Sequence, residues 1–228
     1  ILSTIYAPHW TIVPNLGIDL VGPPLMRVLP VHVAGKLLLA CAAFLPVIGV
    51  VCYHRAVFGR VSLWPLMSAL VAFNGIFFLG FINFLWGVGL ALIAAAAWIR
   101  LIDRHPLRSI AVSIPVGIVL FFCHILAVLF FGLLIGAREF VGVWRCVPDL
   151  RAALQRVATR AGMLALVLLP VGILYCRSAF AGAPVGLVWD EPSRKLIDLL
   201  SPFMTYSQPV AALTFVGVVG AIIIVWRH

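Results

Sequence analysis

Residues 61–99 run for 39 positions without one Asp, Glu, Lys or Arg. As helix at about 1.5 Å per residue, that run is about twice as long as the roughly 30 Å hydrocarbon core of a bilayer is thick. One crossing cannot hold it, so it is read as two. The rest of the 228-residue chain agrees: 64% is hydrophobic and 10% charged, against about 45–50% and about 25% in soluble domains. This excludes a water-soluble enzyme, a disordered tail and a disulfide-stapled module. The reading is an all-α polytopic transmembrane helical bundle in one membrane domain, 1–228.

Asn74-Gly75 and Gly80-Phe81-Ile82-Asn83 supply turn-forming residues inside the long run, which predicts spans at about 62–79 and 83–101. Other apolar runs predict spans at about 33–53, 161–177 and 209–226. Residues 109–137 carry His124 but no Asp, Glu, Lys or Arg. As one helix they would be about 43 Å long and tilted; as two they would turn near His124, giving 108–122 and 123–138. Charge bias decides between them. A double crossing puts 11 Lys/Arg on one side and 5 on the other, whereas a single crossing splits them 8 and 8. Cytoplasmic loops collect Lys and Arg, so the double crossing is preferred, giving about seven spans (six if 109–137 crosses once). Loops 54–60, 100–108 and 138–160 are then cytoplasmic.

The outer side then holds 1–32 and the loop 178–208, in which Asp190-Glu191-Pro192-Ser193 precedes an apolar run and predicts a short amphipathic surface helix. Residues 149–160 read as its inner counterpart, with Asp149 as N-cap and Arg151, Arg156 and Arg160 toward lipid headgroups. Trp64, Trp98 and Trp226 fall near span ends, as in an aromatic belt. The net charge is +9, but the arginines are scattered between apolar runs, so nucleic acid is not an expected partner; the lipid bilayer is. The five cysteines form no C-x-x-C pair and read as small apolar fillers. The chain opens Ile1-Leu2-Ser3 without a signal-peptide pattern, which predicts further sequence upstream.

The outer side collects polar residues: His9, Asn15, Asp19, Arg27, His32 and Lys36 before or within the first span, then Arg194 and Lys195. If Pro14 opens a short helix, Asn15 and Asp19 share a face, and Gly22-Pro23-Pro24 ends it. Asp19 could accept a proton or hold a divalent metal while the cations hold a phosphate; the plainer alternative is that it pairs with Arg27 or caps a turn. His124 in an apolar run marks a functional position or a neutral imidazole at a helix tip. Asn74 and Asn83 line an outer cavity or make a turn. No nucleotide-binding, zinc-protease or serine-hydrolase motif occurs.

The segments Val13-Pro14-Asn15-Leu16-Gly17-Ile18-Asp19-Leu20, Gly80-Phe81-Ile82-Asn83-Phe84-Leu85-Trp86-Gly87 and His124-Ile125-Leu126-Ala127 resemble a group of bacterial polytopic membrane proteins whose layout is similar to the C-type (GT-C) glycosyltransferase superfamily. That resemblance implies a bacterial inner-membrane enzyme that takes its sugar from a polyprenyl phosphate. An acidic residue in the first extracytoplasmic loop would serve catalysis or metal binding, and here the role falls on Asp19. No family motif matches Arg27, Lys36, Arg194 or Lys195; on charge they would neutralise the lipid phosphate, with Asn15, Asn83, His9 and His124 as further polar contacts. Two other readings stay open: a transporter with Gly/Asn-broken helices, and a non-catalytic membrane subunit or scaffold.

Overall fold

The computed structural model describes residues 11–146, 149–182, 191, 201–205 and 207–227, and among these no strand occurs. The helices are α1 (Gly17–Val28), α2 (Val31–Phe58), a 3-10 helix (Trp64–Val71), α3 (Gly75–Phe78), α4 (Ile82–Leu101), α5 (Pro106–Cys123), α6 (Ile125–Cys146), α7 (Leu150–Cys176), a 3-10 turn (Ser201–Phe203) and α8 (Gln208–Arg227). Five of them, α2 and α4 to α7, are long and apolar enough to cross a bilayer, and α8 is a further apolar helix. The chain is therefore an integral membrane protein.

Helix directions follow from the contacts. The Trp86 indole donates to Leu38 O, while further along both helices Gly89 meets Leu45 and Gly49 meets Leu92, so α2 and α4 run the same way. In α4 and α6, Gly87 meets Ala127 and the Trp98 indole donates to Glu139, so these two are also parallel. Between them α5 returns, and the turn from α5 into α6 is one extended residue, His124, at φ −169° and ψ 138°. The 109–137 run is thus a hairpin with its tip at His124, as the arginine bias implied. Helix α7 passes Asp103 at Arg160 and ends near the point where Ala179 N donates to Ile12 O. One end of the bundle is marked by His124, the other by Asp103.

Because α2 and α4 are parallel, residues 59–81 must travel back from the Asp103 end to the His124 end. A regular helix is expected over 62–79; the structure instead has the 3-10 helix, a break at 72–74 and the four-residue α3. Eight 3-10 residues rise about 16 Å and α3 about 6 Å, so this return path is not one continuous helix. Backbone freed inside lipid needs other partners, and short polar side chains supply them. Ser62 Oγ accepts from Trp64 N, Ser68 Oγ donates to Pro65 O and Asn74 Oδ1 accepts from Phe77 N.

The core lies between α4, α5, α6 and α7, around Trp98, Phe121 and Phe131. Trp98, expected in the aromatic belt, is 1% exposed, because its indole N–H has Glu139 for a partner inside the bundle. Trp64 and Trp226 are exposed and share one groove. Residues 149–160 are not a separate surface helix: α7 runs unbroken from Leu150 to Cys176. Asp149 does cap it, accepting from Ala152 N at 2.7 Å. The expected amphipathic helix after Pro192 lies outside the described residues.

Candidate functional site

At the His124 end, Asn83 in the first turn of α4 reaches across to the entry of α1. Its Nδ2 donates to Asn15 O at 2.8 Å and its Oδ1 accepts from Ile18 N at 2.7 Å. Asn15 sits at φ +77°, a conformation that asparagine tolerates better than most side chains. Gly17 follows because a Cβ there would stand 2.9 Å from Asn83 Oδ1. Asn83 is therefore a buried clamp with its amide occupied. Replacing it with Ala strands an amide and a carbonyl, at about 1–3 kcal/mol; Asn83→Ala is expected to raise hydrogen exchange at Ile18 well above the wild-type rate.

Pro14 does not open α1. The helix begins at Gly17, and it continues through Pro23 and Pro24 to Val28, so Asn15 and Asp19 do not share a helical face. The two prolines remove the helical donors to the carbonyls of Asp19 and Leu20, both exposed residues where water or headgroups can replace those donors. Asp19 lies about 200° around the helix from buried Gly17. It is exposed, and no ion pair joins it to Arg27 among the described residues. Arg27, His32 and Lys36 are likewise exposed. Among the described residues no three of His, Cys, Asp and Glu gather as a metal site needs, so Asp19 does not fit a protein-built metal cage. His9, Arg194 and Lys195 lie outside the described residues.

His124 builds the hairpin tip. Its Nδ1 accepts from Leu126 N at 3.2 Å, its ring meets Phe84 edge-on with centroids 5.3 Å apart, and its backbone bonds both helices. Burial lowers its pKa from the usual value, keeping the imidazole neutral, as an Nδ1 acceptor requires.

Below this tip lies a cavity of about 460 Å³, bounded by Val47 and Val50 of α2, Phe84 and Leu92 of α4, and Ser68 and Asn74 of the broken crossing. The hydroxyl of Ser68 and the Oδ1 of Asn74 are engaged by the local backbone, and the rest of the described lining apart from the Asn74 Nδ2 is apolar. Asn74 lines this cavity and caps α3 at the same time, whereas Asn83 is engaged in its clamp.

The Asp103 end holds a charge cluster in place of the expected headgroup-facing arginines. Arg160 Nη2 donates to Asp103 Oδ1 at 2.6 Å, its Nη1 donates to Ile102 O, and its Nε stands 3.5 Å from Glu139 Oε2. Arg138 and Arg156 approach the same Asp103 carboxylate at 3.8 and 4.0 Å. Only Arg151 of the three expected to face lipid headgroups is exposed; Arg156 and Arg160 turn inward because two carboxylates wait there. A signal for this was present: Asp103 is the only acidic residue in 100–108, and Glu139 the only one in 138–148. Lone carboxylates in arginine-rich loops are natural ion-pair partners.

No protein-family model, curated protein or solved structure matches the chain. Its function is therefore argued from this geometry.

Proposed function

We propose that this integral membrane protein handles an amphiphilic, lipid-linked substrate whose apolar tail lies in the cavity beside the broken crossing. The chemistry of that cavity carries the reading. Its volume of about 460 Å³ is in the range of ligand pockets. An interrupted helix is tolerated at membrane depth where it is buried or lines a cavity, and here, among the described residues, Ser68 and Asn74 are the only polar ones in an otherwise apolar lining, each bonded to its own turn. Transport of a polar solute or ion needs free polar groups near the midplane; this wall offers an apolar chain a better match.

The finer reading is a glycosyltransferase using polyprenyl-phosphate sugar at the His124 end, like the superfamily that the chain resembles. Asp19 takes the proton of the acceptor hydroxyl as its oxygen bonds to the anomeric carbon, and polyprenyl phosphate leaves. Arg27 and Lys36, exposed at the same end, offset the charge of the departing phosphate. The membrane is then a bacterial inner membrane with the arginine-rich Asp103 end in the cytoplasm.

The test uses the full-length chain in bilayer nanodiscs with radiolabelled polyprenyl-phosphate sugar and a membrane acceptor fraction. Asp19→Asn is expected to lower transfer about 100-fold or more, while a photoreactive polyprenyl phosphate still labels Val50 or Leu92. Transfer unchanged by Asp19→Asn removes Asp19 from the reaction. Labelling no greater than that by a photoreactive phospholipid overturns the tail site. Labelling without transfer in the wild type makes the chain a lipid-binding subunit, the second reading that this cavity allows.

A further inference from the structure

The charge cluster at the Asp103 end is unbalanced in a way that points to a missing anion. Three guanidinium groups, Arg138, Arg156 and Arg160, share two carboxylates, Asp103 and Glu139. Arg160 uses both acids at close range. Arg138 and Arg156 are left at 3.8 and 4.0 Å from an Asp103 oxygen, beyond hydrogen-bond distance. Arg156 makes no hydrogen bond among the described residues, and its Nε is buried without a hydrogen-bond partner, as is Glu139 Oε2 on the α6 side of the cluster. Buried donors are nearly always satisfied, so an orphan of this kind asks for a partner. Its surroundings fit one. Arg156 and Arg160 line an open cleft of about 510 Å³ at the foot of α7, together with Asp103, Gln155 and Thr159. Gln155 is exposed, so its amide can donate into the cleft.

We propose that this cleft binds a phosphate group, with Arg156 as its main ligand, Gln155 as a second donor and Arg138 and Arg160 supplying the surrounding positive charge. Arg156 lines the cleft, and the donor edge of a guanidinium matches two phosphate oxygens. Asp103 does not forbid this, since the five side chains together carry one net positive charge. The phosphate comes either from an anionic phospholipid headgroup or from a free phosphate compound at that face. This site is separate from Asp19 and from the apolar cavity, which belong to the opposite end and the middle of the bundle, so its test is independent of the transferase reading.

The experiment compares wild type, Arg156→Gln and Arg60→Gln in the full chain. Arg60 is an exposed arginine outside the cluster, so Arg60→Gln controls for net charge. One arm measures retention of phosphatidylglycerol by native mass spectrometry from mixed phosphatidylcholine–phosphatidylglycerol nanodiscs. The other measures the thermal-unfolding shift caused by inorganic phosphate in pure phosphatidylcholine nanodiscs. Binding in either arm that Arg156→Gln weakens about tenfold and Arg60→Gln leaves near wild type supports the site. The responding arm identifies the source. Equal effects of the two substitutions, or no binding by wild type in either arm, overturn it. Arg156→Gln removes no hydrogen bond, so the variant is expected to fold, and an unfolding temperature close to that of wild type confirms it.

Discussion

Arg160→Met is expected to lower the stability of the bundle by about 3–5 kcal/mol, the range for removing one member of a buried ion pair. The size follows from what is left behind. Glu139 is 12% exposed at its side chain and Arg160 15%, so the Glu139 carboxylate cannot recover its lost partner from water. Asp103 loses its 2.6 Å bond and Ile102 O loses a donor. Three elements part company at once, because Arg160 joins the C-terminal end of α4, the α6 segment around Glu139 and the start of α7. Unfolding in mixed micelles, followed by circular dichroism, reads the effect. Adding Glu139→Gln to Arg160→Met removes the uncompensated charge while keeping an oxygen for the Trp98 indole, so the double variant is expected to be more stable than Arg160→Met alone. A loss below about 1 kcal/mol for Arg160→Met would place the guanidinium in water and dissolve the network.

That network also shows where sequence reasoning stops. The class of helical membrane bundle was legible, because apolarity is a local property and lipid enforces it residue by residue. The hairpin at 109–137 was legible for a subtler reason. No Gly or Pro marks its tip, yet the distribution of arginines between the two ends requires an extra turn, and His124 provides it with a single extended residue. The helix type of 61–81 was not legible. Its residues are as apolar as those of α4, and the parallel packing of α2 on α4 requires that they return to the other end without dictating the helix type. Asn83 reads as a turn residue or a ligand; it is a clamp, because its partners Asn15 and Ile18 lie more than sixty positions away. Arginine positions report partners poorly. Arg156 and Arg160 occur in a stretch that looks like a headgroup-facing helix, and their inward turn depends on Asp103 and Glu139 arriving from α4 and α6.

Gly89→Ala is the second substitution with a large expected effect, and it links the fold to the cavity. A Cβ at Gly89 would lie 2.5 Å from the carbonyl carbon of Leu45 and 2.7 Å from its oxygen. The obstacle is backbone, which cannot swing aside as a side chain can. Across the same contact a Cβ at Gly49 would lie 2.7 Å from Gly89 O, so the two helices touch main chain to main chain, the close approach that small residues permit between membrane helices. One added methyl must push α2 away from α4, and overpacking of this kind costs about 1–3 kcal/mol. Pro46, Val47 and Val50 of α2 and Val88 and Leu92 of α4 line the cavity, so the displacement also reshapes the place assigned to the lipid tail. Gly132→Ala is the comparison: nothing lies within 4 Å of a Cβ there, and the better helix propensity of alanine should leave stability equal or higher by up to about 1 kcal/mol. The expected result is that Gly89→Ala unfolds earlier than wild type and loses photolabelling at Val50 and Leu92, while Gly132→Ala does neither. If the two alanine variants unfold alike, α2 and α4 do not meet at Gly89. Residues 59–81 would then have no parallel α2–α4 pair to return between.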